Sequence, residues 1–160
     1  MTLDANKKTI IVFSGDLDKA MASFIIANGA AAMGNEVTMF FTFWGLNILR
    51  KPEKVRTRKS FLEALFVWMM PRGAGRLGLS KMNFGGMGAF MMKTIMKQKK
   101  VNTMQELIET ARSLGVKMIA CTMSMDVMGF KEEELVDGVE FAGVATYLGE
   151  ADEANVNLFI

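Results

Sequence analysis

Cys121 is the only thiol in a 160-residue chain that contains no histidine. Those two facts narrow the chemistry sharply. A lone cysteine cannot close an intramolecular disulfide, which points to a reducing, cytoplasmic setting. Without histidine, Ser-His-Asp and Cys-His catalysis are excluded. One thiol also leaves no intrachain zinc, copper or iron–sulfur site, so neither metal nor cofactor is expected. Cys121 remains as the one candidate reactive group, through its thiolate.

The residues around Cys121 suit that chemistry. Cys121 directly follows the strand-like run Val116-Lys-Met-Ile-Ala120 and opens the stretch Cys121-Thr-Met-Ser-Met-Asp126. In an open parallel α/β sheet, ligands bind beyond the carboxyl ends of the strands, and Cys121 falls at such an end. Residues 122–129 read as a loop whose backbone N–H groups, with the Thr122 and Ser124 hydroxyls, are available to a thiolate. Asp126 would oppose ionisation and reads as a helix cap. The plainer alternative is a small buried apolar residue, as most free cysteines are. Two further polar turns, Ser14-Gly15-Asp16 and Trp44-Gly45, end the first two apolar runs. If the three strands are neighbours, the three turns line one crevice; alone, these are ordinary turn residues.

The elements that must position them are legible in the pattern. Thr9-Ile-Ile-Val-Phe13 and Val37-Thr-Met-Phe-Phe-Thr-Phe43 are continuous apolar runs of the doubly buried kind. Residues 17–33 between them are apolar at nearly every angle, a helix buried on more than one side, and Gly34 closes it. This is a βαβ unit with right-handed, parallel sense. Residues 46–50 look like the start of a helix that stops before Pro52. Thr103 and Glu106 form a capping box opening a helix over 104–114. Strands are predicted at 116–120 and 139–143, a short helix at 131–136, partial helix over 142–155, and a weaker strand at 156–160. The expectation is one α/β domain over 1–160, with three layers, a mostly parallel Rossmann-like sheet and a helical insertion at about 50–100.

That insertion carries 13 basic and 2 acidic side chains. It includes the basic run over residues 50–59, an apolar stretch over 61–70 and two glycine-rich segments. Phosphates, RNA or anionic lipid would suit the basic run, but no nucleic-acid motif accompanies it and most such runs are solvated surface. A peripheral membrane contact fits the basic flanks of 61–70. No G-x-G-x-x-G follows the first strand, and the 73–81 segment lacks the G-K-[ST] ending of a phosphate-binding loop.

Twelve of the 16 methionines fall between 61 and 129. They suit irregular cores and interfaces better than a Cu(I) site. With Trp68, Met69 and Met70 as contact candidates, they predict self-association. Charge is uneven too: residues 130–160 carry one basic and eight acidic side chains, a matched subunit contact or simply a solvated face. The polar start over residues 1–8 does not read as a signal peptide. The uncharged runs over 20–35 and 37–49, separated by Glu36, fall short of the ~20 apolar residues of a membrane helix.

Phe13-Ser-Gly-Asp-Leu-Asp-Lys19, Phe40-Phe-Thr-Phe-Trp-Gly-Leu-Asn47, the glycine- and methionine-rich stretch over 84–92, and above all Ala120-Cys-Thr-Met-Ser-Met-Asp-Val-Met-Gly129 resemble the DsrE/DsrF-like family. The likeness is to its larger subgroup, often labelled peroxiredoxin-like, and covers essentially the whole chain. The resemblance implies an oligomeric α/β domain that carries sulfane sulfur as a persulfide on the residue aligned with Cys121, exchanging it with donor and acceptor proteins. Some relatives have further cysteines; here a resolving thiol would come from a partner or another subunit, which favours carriage over independent redox turnover. The alternatives are a non-catalytic small-molecule or nucleotide-binding module and a membrane-peripheral assembly subunit.

Overall fold

The computed structural model describes residues 6–160; the start of the polar segment over residues 1–8 lies outside them. Five parallel strands form one sheet in the order β4-β3-β2-β1-β5. They are β1 (Lys7–Val12), β2 (Glu36–Phe41), β3 (Lys117–Cys121), β4 (Glu140–Ala142) and β5 (Val156–Phe159). Helices α1 (Leu17–Ala32) and α4 (Met104–Ser113) pack against one face. The α6 helix (Val144–Asp152) covers the other. The three-layer parallel architecture expected from the strand–helix alternation is present.

Chain direction explains the unequal layers. From β1 to β4 the chain steps across the sheet in one sense, and right-handed crossovers put every connection on the same face. Only the return from β4 to β5 runs the other way and leaves its helix, α6, on the opposite face. Alternation along β3 then divides its side chains: Met118 and Ala120 enter the large core, while Ile119 and Cys121 join the smaller cluster beneath α6.

Local signals account for most element ends. Thr103 and Glu106 form the capping box of α4, and Ser60 with Glu63 form another at α2 (Phe61–Met69). Gly34 and Gly115 take positive φ after α1 and α4. The helix expected at 46–50 is a 3-10 stretch over Phe43–Leu49. Residues 122–129, read as a loop, instead form α5 (Thr122–Met128), a seven-residue helix closed by Gly129 with positive φ. Two turns of methionine-rich sequence are too short for a helical period to stand out. Asp126 lies within α5 and caps nothing with its side chain. The short helix expected at 131–136 is a single 3-10 turn, Glu132–Glu134.

The insertion contributes α2 and α3 (Met87–Gln98) and is tied to the frame at its base. An antiparallel bridge joins Arg50 to Leu135, and Lys51 N–H donates to the Glu134 carbonyl at 2.8 Å. Glu134, fully buried, accepts from the Lys131 N–H at 2.9 Å and pairs with the Lys59 ammonium. Two members of the basic run, the buried Arg50 and the half-buried Lys59, are therefore structural cations rather than solvated surface. Replacing Glu134 by Gln strands the Lys59 charge in the interior; we expect a loss of roughly 3 kcal/mol in urea unfolding. An unchanged midpoint would show that Lys59 reaches water instead.

Candidate functional site

The turns after β1 and β2 approach each other so closely that only glycine fits. A Cβ on Gly15 would lie 2.6 Å from the Trp44 carbonyl oxygen, and one on Gly45 would lie 2.0 Å from the Val12 carbonyl oxygen. Ser14 Oγ accepts from the Asp16 N–H at 3.2 Å and donates to the Asp16 carboxylate at 3.0 Å. The first helical N–H of α1, on Leu17, is satisfied by the Gly78 carbonyl at 2.7 Å, not by a side chain. Ser14, Gly15, Asp16 and Trp44 together line a crevice of about 800 Å³, with Arg76 and Lys93 of the insertion on its far side. That volume suits a small molecule. Gly45 and Cys121 do not line it.

Cys121 stands instead on the opposite face of β3, only 4% exposed, in an apolar cluster with Phe40, Ile119 and Tyr147. It is the last residue of β3 and the N-cap of α5, and its side chain makes no capping hydrogen bond. The neighbouring Thr122 and Met123 are exposed. Ser124 is fully buried and shares a 2.6 Å hydrogen bond with Thr42 at the end of β2. Either hydroxyl can donate; when Thr42 does, the Ser124 proton is free for another acceptor.

Two residues that the sequence reading passed over control this region, Tyr147 and Glu150. Tyr147 stacks on Phe40 with ring centroids 5.0 Å apart, and its hydroxyl lies 3.1 Å from Thr9 Oγ1. Glu150 reaches back from α6 to Lys117 of β3 at 2.9 Å and Lys7 of β1 at 3.1 Å. The hydrogen bond from Lys117, reinforced by Lys7, holds the Glu150 carboxyl below the usual range, and Lys117 is raised in return. The one tyrosine of the chain was a signal available in the sequence. The ion pairs were not, because their partners are 33 and 143 positions apart.

A sequence profile of the DsrE/DsrF/DrsH-like family matches residues 5–159. The chain belongs to this family. It is 58% identical over 160 residues to YrkE of Bacillus subtilis, covering all of both chains. It is 38% identical over 162 residues to the sulfur carrier protein DsrE2 of Allochromatium vinosum, covering 99% of this chain and 100% of that one. Among solved structures, YchN of E. coli superposes with TM-score 0.57 at 10% identity, over 97% of this chain and 99% of that one. MTH1491 of Methanobacterium thermoautotrophicum gives 0.50 at 11%, over 96% and 98%. These two likenesses establish the DsrE-like fold.

Because its folded pKa is depressed, Glu150 stabilises the fold above the ordinary carboxylate range, and that contribution disappears as pH falls through the depressed value. Glu150→Gln should lower stability at neutral pH, and the gap from wild type should close on acidification. At neutral pH the same variant should loosen α6 by about 1 kcal/mol and speed iodoacetamide alkylation of Cys121 about fivefold. An unchanged rate would show that α6 is not the cover.

Proposed function

We propose that this DsrE-family protein is a sulfur carrier that holds sulfane sulfur as a persulfide on Cys121 and delivers it to a partner thiol. The observation that carries the reading is the position of the single thiol at the carboxyl end of β3, under one helix, in a chain 38% identical to a named sulfur carrier. The Cys121 thiolate attacks the outer sulfur of a donor persulfide. A Cys121 S–S bond forms, the donor S–S bond breaks, and the donor leaves as thiolate. An acceptor thiolate then attacks the outer sulfur and regenerates the Cys121 thiolate, with no net oxidation. Thr122 and Ser124 are the hydroxyls that would stabilise the terminal anion.

Burial assigns the cover a role. With Cys121 shielded by the Phe40–Tyr147 stack, a bound persulfide is screened from stray thiols, and transfer requires displacement of α6. Low intrinsic reactivity in the resting state is what a carrier needs. Donor and acceptor proteins then act by opening the site. Incubation with polysulfide followed by intact mass analysis should add 32 Da to wild type, the mass of one sulfur atom, and nothing to Cys121→Ser. Failure of every persulfide donor to form the adduct, with Cys121 alkylated only after unfolding, would sink the proposal.

A second reading concerns assembly and rests on α2. Of its nine residues only Val67 is buried, and Trp68 is 78% exposed. Met69 is exposed as well, whereas Met70 is buried. So much apolar surface suits contact with another molecule. The basic 50–100 segment and the acidic 130–160 segment give charge complementarity between copies of the chain. We therefore assign α2 to self-association. Trp68→Glu should shift the sedimenting species towards monomer. If wild type is already monomeric but floats with anionic vesicles, and loses that binding when Lys54, Arg56 and Arg58 become Gln, the surface is a peripheral membrane contact instead.

A further inference from the structure

Arg50 is among the largest fully buried side chains of the described residues, 1% exposed. Its Nη1 donates to the carbonyl oxygens of Pro71 at 3.0 Å, Met70 at 3.3 Å and Val67 at 3.5 Å, clasping the C-terminal end of α2. The guanidinium lies 4.9 Å from the centroid of the Phe130 ring. Its other two nitrogens, Nε and Nη2, are sealed from water and have no hydrogen-bond partner. Among the described residues no carboxylate is within ion-pair distance of it, and the acidic group that helps offset its charge, Glu134, is bound to Lys59. Burial, and then the nearby Arg72, draw the Arg50 pKa down to about 10.

Arg72 repeats the pattern on a smaller scale. Its Nη1 is also buried and unpartnered. Arg50 and Arg72 both line a cavity of about 310 Å³, together with Arg76, Arg112 and Gln105. One carboxylate borders this cavity, Glu109, and it is paired with Arg112 at 3.7 Å and largely exposed. A buried guanidinium with orphaned N–H groups, next to further guanidinium groups, carries a desolvation and repulsion cost that a counter-anion removes. The fork of N–H donors on Arg matches the edges of a tetrahedral oxyanion. The volume lies at the small end of ligand sites. It suits an inorganic ion with its water better than a nucleotide.

We propose that this cavity is a binding site for a small tetrahedral oxyanion of the phosphate, sulfate or thiosulfate class, held by Arg50, Arg72, Arg76 and Arg112. It lies on the α4 side of the sheet, bordered by Ile48 and Ile108 of the main core, and is separate from Cys121. The anion would bridge the base of the insertion to α4 and lock both against β2.

Thermal unfolding and calorimetry of the full chain, at fixed ionic strength in chloride, test the proposal. Inorganic phosphate, sulfate and thiosulfate should each raise the melting temperature along a saturable curve. Arg72→Gln leaves the grip of Arg50 on α2 intact and should weaken that binding about tenfold, the loss of one charge-assisted bond. Arg58→Gln, an exposed cation outside the cavity, should leave affinity within about twofold. AMP distinguishes sources: binding tighter than inorganic phosphate, still lost in Arg72→Gln, assigns the oxyanion to a phosphomonoester. No saturable shift with any of these anions, or equal shifts in wild type and Arg72→Gln, overturns the site. The latter pattern is a general salt effect.

Discussion

Everything about the thiol follows from the handedness of the crossovers. Right-handed connections load one face of the sheet with α1, α4 and the insertion, and leave α6 alone to cover the other. Cys121 projects to the thinly covered face because β3 alternates, and a shift of one residue in register would bury it in the main core instead. The Glu150 ion pairs to Lys7 and Lys117 anchor that single cover to two strands. Partial cover also explains an exposed aromatic pair at the β1–β5 edge of the sheet: Phe13 and Phe159 stack at 5.6 Å, with Phe159 67% exposed. A sheet face with one helix has apolar area left over.

The insertion is organised by buried charge rather than by a core of its own. Its helix α2 contributes only Val67 to the interior, and its base is held by Arg50 on three carbonyl groups and by Lys59 on Glu134. Such contacts fix geometry more than they add stability, since each cation gives up hydration for its bonds. They set α2 at an angle where its apolar residues face outward. The crevice beside Trp44 is a product of the same arrangement, because the insertion supplies its far wall.

Local features were legible in the sequence and long-range ones were not. The β1–α1–β2 unit and the capping box of Thr103 and Glu106 are written within a few residues, so periodicity and capping chemistry suffice. The placement of Cys121 at a strand end is equally local. Which face it takes depends on register, and whether it meets the Ser14 and Trp44 turns depends on the face. Ser14, Gly15, Asp16 and Trp44 share a crevice that Cys121 does not border. Arg50 and Lys59 looked like members of a solvated basic run. Their burial depends on Phe130, Pro71 and Glu134, and composition carries no trace of such distant partners.

Strand order has a consequence for how the chain is made. β1, formed from residues near the start, is flanked by β2 on one side and by β5 on the other, with Lys8 paired to Val156. During synthesis β2 arrives promptly, whereas β5 is the last strand to emerge. Until it does, β1 presents a bare apolar edge, Thr9-Ile-Ile-Val12, of the kind that pairs promiscuously with other nascent chains. The cell's exposure to misassembly is therefore set by the time needed to translate the intervening segment, and lengthening the insertion would prolong it.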